Sequence, residues 1–209
     1  MKSFNDDQRS KGEMTDTLQT ERHPLEPFLP EHAKLLMLGS FPPPRERWTM
    51  NFYYPNFQND MWRIFGLVFF GDKDYFVVGN RKSFDEAGIR QFLIQKGIAL
   101  YDTVEVAIRQ KGNASDQFLE IVKPVDLETI LSKIPRCEAI VTTGQKATET
   151  LMTLVNESQI PPVNGFIEAT FMNRRIRCYR MPSSSRAYPK SLPDKAAAYS
   201  QLFTFEKFK

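Results

Sequence analysis

Short apolar runs alternate along the chain with longer amphipathic stretches. Buried strands are predicted where an apolar run ends at a turn-forming or polar residue, at 34–40, 98–102 and 138–143, with a hairpin of two strands at 167–171 and 175–181. Apolar residues at helical spacing predict helices at 59–70, 83–96, 127–134 and 144–156, and a final helix beginning near Pro193. The second helix is expected to begin at a capping box formed by Ser83 and Glu86.

Strands that alternate with helices need crossover connections, and crossovers imply parallel pairing. We therefore expect an α/β fold, a three-layer α/β/α arrangement around a central, mostly parallel four-stranded sheet. Ligands of such sheets bind beyond the carboxyl ends of the strands. In this chain those ends lead into loops of small or polar residues at 39–42, 101–103, 142–145 and 181–186. A ligand site is predicted where these loops meet.

The domain organisation follows from length and composition. The first 23 residues are charged and polar with few apolar anchors, so we expect a flexible tail over 1–23 and a single domain over 24–209. A content of 41% hydrophobic and 12% aromatic residues is too rich for a disordered chain. The longest apolar stretch, 64–70, is too short to cross a bilayer, and no leader opens the chain. We expect a cytoplasmic protein without membrane contact.

Histidine and cysteine are scarce, which disfavours several chemistries. Cys137 and Cys178 cannot form a disulfide framework, a cysteine-rich zinc site or an iron–sulfur site with four cysteines, and are expected to be reduced, buried thiols. His23 and His32 both precede the first predicted strand and are expected to be solvated. A Ser-His-Asp hydrolase is therefore disfavoured. No metal and no cofactor are expected.

Positive charge is concentrated in one part of the chain. The formal net charge is only +3, from 28 basic and 25 acidic residues, but the window 171–190 contains six basic residues and no acidic one. These are Arg174, Arg175, Arg177, Arg180, Arg186 and Lys190. Such a patch is typical of a surface that contacts a phosphate backbone, although a solvated arginine-rich hairpin would give the same pattern.

The first motif of the uracil-DNA glycosylase superfamily is similar to three pieces of this chain: Leu38–Pro42, the aromatic run Phe52–Tyr54, and Asn59–Trp62. The resemblance is greatest to the hypoxanthine (deoxyinosine) branch, in which a Gly-Ser/Thr-x-Pro turn precedes Tyr-Tyr and an Asn three residues before Trp. Three other pieces resemble later superfamily motifs, each at a predicted strand end: Gly97–Asp102, Thr143–Ala147 and Met181–Ser185.

Departures from the motifs bear on the chemistry. The mismatch-specific uracil branch has an Asn where this chain has Phe41, and the classical uracil enzymes have a His where this chain has Met181. The hypoxanthine branch lacks both groups and is thought to use the later Asn, which corresponds to Asn59. Its usual Pro two places before that Asn is absent here, and residues 45–50 look like an added loop. Uracil and hypoxanthine both remain open as substrates.

The resemblance implies a monofunctional DNA glycosylase, which extrudes a deaminated base and hydrolyses its N-glycosidic bond. In that reading Asn59 holds the attacking water, Ser40 and the amides of Ser40 and Phe41 receive charge on the departing base, and Asp60 is a second catalytic candidate. As a purely structural residue, Asn59 would cap the following helix, and the two roles can coexist. Asp102 is expected to be mainly structural.

The remaining expected site residues fall into two groups. The base would be bound by Gly39, Phe41, Pro42, Tyr53, Tyr54, Thr143 and Gly144. DNA would be contacted by Pro182, Ser183, Ser184, Ser185, Arg186, Arg174 and Arg175. The expected partner is DNA that contains deaminated bases, and the expected state is a monomer.

Three other functions are alternatives to a DNA glycosylase. A hydrolase with Ser40 as nucleophile needs a base, and no histidine follows His32 in the sequence. A Rossmann dinucleotide enzyme would need a Gly-x-Gly-x-x-Gly turn where this chain has Gly39–Pro42. A non-catalytic nucleic-acid-binding module that retains the fold without base excision stays open.

Overall fold

The computed structural model describes residues 19–79, 82–110 and 118–206. Within these ranges the strands are β1 (Thr20–Arg22), β2 (Leu35–Gly39), β3 (Val77–Val78), β4 (Ser83–Phe84), β5 (Ile98–Asp102), β6 (Val104–Arg109), β7 (Leu119–Pro124), β8 (Ala139–Thr143), β9 (Gly165–Phe171) and β10 (Arg174–Met181). The helices are α1 (Met61–Phe70), α2 (Glu86–Lys96), α3 (Leu127–Lys133), α4 (Gln145–Leu154) and α5 (Leu192–Phe205).

The central sheet has the strand order β5-β2-β8-β10-β9. β5, β2, β8 and β10 are parallel, and β9 pairs antiparallel to β10 at one edge. β2, β5 and β8 are buried over their whole length, as their uninterrupted apolar sequences predict for strands covered on both faces. The α/β prediction is confirmed, with the hairpin strand β9 making five strands in place of four.

Helices cover both faces of this sheet because the connections change direction. The chain runs from β2 outward to β5, then back across β2 to β8 and on to β10. Right-handed crossovers place α1 and α2 on one face, and α3 and α4 on the other. After β10 the chain returns to the first face, where α5 packs against α1. The change of direction at β2 creates a crevice at its carboxyl end.

Aromatic side chains join the helices of the first face. Phe65 of α1 lies between Phe92 of α2 and Phe203 of α5, with ring centroids 6.0 and 5.3 Å away. Phe65 and Phe203 are fully buried, and full burial of a Phe side chain stabilises a fold by about 1.5–3 kcal/mol. This cluster fixes α1, which begins next to the crevice.

A second sheet, which the sequence analysis did not predict, has the order β1-β6-β7. β1 pairs antiparallel with β6, and Arg109 at the end of β6 bonds Glu21 of β1. The expected boundary between tail and domain at residue 23 is therefore wrong by a few residues, because this pairing orders 20–23. Residues 1–18 of the expected tail lie outside the described residues.

The helix caps agree only in part with the sequence analysis. α2 is capped by Asp85, whose side chain accepts a hydrogen bond from the Gly88 amide. Ser83 instead lies in β4, and its hydroxyl donates a hydrogen bond to the Thr49 carbonyl. The predicted capping box is therefore wrong, and Asp85 takes its place. α5 begins as predicted near Pro193, with Ser191 as its N-cap.

Candidate functional site

A cavity of about 190 Å³ opens at the carboxyl ends of the central strands, at the crevice where the connections change direction. It is large enough for a small planar heterocycle. Its lining comes from all four parallel strand ends and from the segment before α1: Gly39, Ser40, Phe41, Pro42, Pro43, Arg47, Tyr53, Tyr54, Pro55, Asn56, Asn59, Asp102, Thr143, Ser183, Ser184 and Ser185. Most of the residues expected at the site therefore meet around one cavity.

The floor of the cavity is polar and depends on a glycine. A β-carbon at Gly39 would lie only 2.4 Å from Asp102 Oδ1, so glycine leaves the space into which this carboxylate projects. Thr143 Oγ1 is 3.9 Å from the same point. Thr143 also bonds the Tyr54 hydroxyl, with 3.2 Å between the oxygens. Asp102, Thr143 and Tyr54 thus form a continuous polar surface across three elements.

Tyr54 has a left-handed backbone, with φ of 51°, which costs a residue with a β-carbon roughly 1–2 kcal/mol. Such strain is retained only where surrounding contacts enforce it, and it concentrates at functional sites. Its ring packs edge-on against Trp62, with centroids 5.9 Å apart. Burial, reinforced by the nearby Asp102 charge, raises the pKa of Tyr54 well above its usual value, so the phenol stays protonated at neutral pH.

Tyr53 is nearly buried, and its hydroxyl donates to the Glu26 carbonyl at 2.8 Å. Its pKa is also raised, first by burial and then by Asp102. Tyr53 thus supports the cavity wall, while Tyr54 makes the polar contact at the floor. Phe52, their neighbour, is core, since it is fully buried and stacks on Trp62.

Asn59 lines the cavity shortly before α1. Its Oδ1 accepts a hydrogen bond from the Met61 backbone nitrogen, 2.9 Å away. The N-cap residue of α1 is Asp60, so the expected N-cap role of Asn59 is wrong, although its side chain bonds the first amide of the helix. This hydrogen bond fixes the orientation of the carboxamide and leaves the Nδ2 hydrogens and a second Oδ1 lone pair for other partners.

Asp60 is not among the lining residues, although it follows Asn59 directly. Its carboxylate is buried and bonds Lys195 Nζ at 3.0 Å and Arg186 Nε at 3.1 Å. Lys195 also donates to the Ser185 carbonyl at 2.8 Å, and the Asp60 amide donates to the Ser184 carbonyl at 2.9 Å. The structure therefore contradicts a cavity position for Asp60, because these two cations hold its carboxylate behind the serine loop, 182–186.

The serine loop forms one wall of the cavity through Ser183, Ser184 and Ser185. Two expected site residues lie behind this wall. Pro182 accepts a hydrogen bond from buried Tyr199 at 3.0 Å, and Gly144, with φ of 113°, lies under the Ser183 side chain. Pro182 and Gly144 therefore support the wall without lining the cavity.

The turn after β2 contributes the opposite wall. Ser40 is buried and lines the cavity together with Phe41 and Pro42. The Phe41 ring packs against the small apolar cluster of the second sheet, Val104, Ala107 and Leu119. Ser40 and Pro42 occupy the expected positions, while the Phe41 side chain also has a packing role.

Arg174 and Arg175 do not border the cavity. They begin β10, whose other end reaches the serine loop, and eight strand residues span about 23 Å between their ends. Arg174 donates to the Leu131 and Cys137 carbonyls, and Arg175 pairs with Glu168. Arg174 and Arg175 therefore lie at the opposite end of β10 from the cavity, and their expected contact with DNA stays a prediction. An exposed arginine of the lining, Arg47, lies at the cavity instead.

The structure brings His23 and Asp102 together at the cavity, a contact that the sequence analysis did not predict. His23 Nε2 lies 2.8 Å from Asp102 Oδ2, and the His23 side chain is only 1% exposed. The expectation of a solvated His23 is wrong, because the pairing of β1 with β6 carries it into the protein. Burial, with smaller contributions from Glu105 and Asp102, raises the pKa of the adjacent Tyr101 to about 12.

Among the described residues, His, Cys, Asp and Glu side chains form no group of three that could hold a metal ion. Within the same ranges, the helices are too short or too polar to cross a bilayer.

Comparison with solved structures identifies the architecture. A solution NMR structure of a "putative Uracil DNA glycosylase" from Methanosarcina acetivorans matches 90% of this chain and 99% of its own, with a TM-score of 0.61 and 20% sequence identity. The chain has the uracil-DNA glycosylase fold. No protein-family model matches the sequence. No curated protein matches it significantly. At this identity the likeness concerns the fold alone.

Proposed function

We propose that this protein is a monofunctional DNA glycosylase of the uracil-DNA glycosylase superfamily, which hydrolyses the N-glycosidic bond of a flipped-out deaminated base, uracil or hypoxanthine, in base excision repair. The observation that carries the proposal is the meeting of Asn59, Tyr54, Ser40 and the serine loop around one base-sized cavity at the strand ends. A base inside a duplex is out of reach, so excision requires a cavity of this kind.

The cavity offers complementary hydrogen-bonding groups to a base. Tyr54, a neutral phenol, presents an aromatic ring, and stacking on such a ring contributes about 1–3 kcal/mol per base. The Ser40 hydroxyl and the amides of Ser40 and Phe41 are donors for base oxygens, and they stabilise negative charge on the leaving base. Asp102 Oδ1 is an acceptor for a base N–H. Uracil and hypoxanthine both carry an N–H beside a C=O, which matches this combination.

Asn59 positions the water in this mechanism. Bond cleavage leaves a sugar cation, so a weakly activated water suffices if it is held against the anomeric carbon. The hydrogen bond from the Met61 amide holds the carboxamide in place, and its remaining lone pair accepts from that water. Asp60 takes no part in this step, since its oxygens bond Lys195 and Arg186.

The serine loop and two arginines form the proposed DNA-contacting rim. Ser183 and Ser185 present hydroxyls beside the cavity mouth, and the Arg186 side chain is half exposed while its Nε bonds Asp60. Arg47, which lines the cavity, adds a second positive charge. These groups suit the phosphates that flank an extruded nucleotide.

Base release provides the test. The purified protein is incubated with duplex and single-stranded oligonucleotides that contain uracil or hypoxanthine, and abasic sites are detected by alkaline cleavage. We expect release by the wild-type protein and a loss of about 100-fold or more in Asn59→Ala, because the water loses its positioning group. Asn51→Ala, at an exposed asparagine bonded to Arg45, is the matched control.

Two results would contradict the proposal. Tight binding without base release would support the non-catalytic module. Full activity of Asn59→Ala together with loss in a folded Asp60→Ala variant would reverse the roles assigned to these neighbours.

A further inference from the structure

The ring of His23 is enclosed and engaged at both nitrogens. Nε2 lies 2.8 Å from Asp102 Oδ2, and Nδ1 lies 2.9 Å from the Leu25 carbonyl and 3.2 Å from the Leu25 amide. Tyr101 and Phe41 pack on the ring, with centroids 4.6 and 5.5 Å away. With Nδ1 accepting from the Leu25 amide, or protonated and donating to its carbonyl, Nε2 carries a hydrogen and donates to the carboxylate.

The contact with His23 gives the two carboxylate oxygens of Asp102 different surroundings. Oδ2 is held by His23, while Oδ1 projects into the space left by Gly39 on the cavity floor. Rotation of the carboxyl group would break the hydrogen bond to His23 inside a protein interior, where an unpaired polar group is costly. His23 therefore keeps one oxygen of Asp102 aimed at the cavity.

The N-terminal strand brings His23 to this position. β1 pairs with β6, and the His23 amide continues the pairing by donating to the Glu105 carbonyl at 2.8 Å. Arg109 bonds both Glu21 of β1 and the Pro42 carbonyl of the cavity wall. The strand and the wall are thus attached to each other through one buried arginine side chain.

We propose that His23 is a positioning residue of the active site, which fixes the orientation of the Asp102 carboxylate toward the extruded base. This inference rests on the proposed function in that the bound group is a base. It extends that function by making the N-terminal strand part of the site, so that the cavity without residues 20–23 has an unrestrained carboxylate.

A double-mutant cycle separates positioning from packing. His23→Phe keeps an aromatic ring but removes the donor, and we expect it to lower kcat/KM for base release about 10- to 100-fold. His23→Gln restores a donor and should recover part of that loss. If His23 acts through Asp102, His23→Phe adds little in the Asp102→Asn background. The control is His32→Phe, at an exposed histidine that bonds the Ile94 carbonyl.

Histidine NMR gives a readout that needs no turnover. The chain has two histidines, so His23 and His32 can be assigned by substitution. We expect the His23 Nε2 proton to exchange slowly and to shift in Asp102→Asn, while His32 stays unchanged. If the wild-type protein releases no base but this result holds, the proposed function fails and the pairing stands. Independent losses in the cycle, or His23 signals unaffected by Asp102→Asn, would overturn the positioning role.

Discussion

Lys195 Nζ donates to Asp60 Oδ2 across 3.0 Å, and the lysine side chain is only 1% exposed. The final helix α5 thereby supplies the main buried cation of a carboxylate at the start of α1. The same ammonium group bonds the Ser185 carbonyl, so one side chain connects α5, α1 and the serine loop. A buried charge with these partners is a structural clamp for the cavity wall.

Replacing Lys195 with methionine should destabilise the protein strongly. Removal of one member of a buried ion pair leaves an uncompensated charge, which costs about 3–5 kcal/mol. Urea unfolding measures this loss. Lys123→Met is the matched control, since Lys123 pairs with Glu105 at the surface and such a pair contributes about 0–1 kcal/mol. Equal losses of unfolding free energy in both variants would mean that the buried contact with Asp60 stabilises the protein no more than a surface ion pair does.

Tyr54 allows backbone strain to be separated from the function of its ring. Tyr54→Gly and Tyr54→Ala both remove the ring, but only glycine relieves the left-handed conformation. We expect both variants to lose base release to a similar extent, with glycine more stable than alanine by about 1 kcal/mol. Thermal or urea unfolding and base-release assays measure the two effects. An alanine variant as stable as the glycine variant would show that the strain is absent.

The arginines of the rim should determine the salt dependence of DNA binding. Each phosphate contact contributes roughly one unit to the slope of log affinity against log salt concentration. Arg47→Ala and Arg186→Ala are each expected to lower the steepness of that slope by about one. Arg175→Ala is the control, because this exposed arginine pairs with Glu168 at the far end of β10. A change in slope for Arg175→Ala alone would move the DNA surface to that end.

The buried thiols predict a loss of stability at high pH. Burial raises the pKa of both Cys137 and Cys178 from 9.0 to about 12. The thiols ionise first in the unfolded chain. Their contribution to the free energy of unfolding is therefore fully present below about pH 9 and is lost as the pH rises toward 12. Each removes up to about 1.4 kcal/mol per pH unit in that window.

Urea unfolding at about pH 8, 9 and 10 measures this loss of stability. In the double variant Cys137→Ala, Cys178→Ala the free energy of unfolding should fall less steeply with rising pH. At neutral pH, a thiol reagent should modify the cysteines only after unfolding. Rapid modification of the native protein would contradict the burial of both side chains.

The central sheet could be predicted because its strands carry a local signal. β2, β5 and β8 are continuous apolar runs that end in polar turns, and parallel strands place those turns at one edge. Asn59 and Ser40 followed from this placement together with the family resemblance. The N-cap of α2 could not be predicted in this way, because Ser83 and Asp85 both precede the helix and only tertiary contacts select between them.

The contacts that were missed all join distant parts of the chain. β1 is three residues long, and pairing with β6 rather than its own composition defines it. The burial of His23 follows from that pairing and has no local signature. The arginines of 171–190 form one basic window in the sequence but are separated in space, since Arg174 begins β10 and Arg186 follows its other end.

The two residues that hold carboxylates beside the cavity come from opposite ends of the polypeptide. His23 is among the first residues described, and Lys195 lies in the last helix. During translation Asp60 therefore leaves the ribosome long before its lysine partner, and the contact that holds the serine-loop wall cannot form until α5 has been synthesised. Because domains generally fold as units, the cavity forms only when α5 is available to pack against α1.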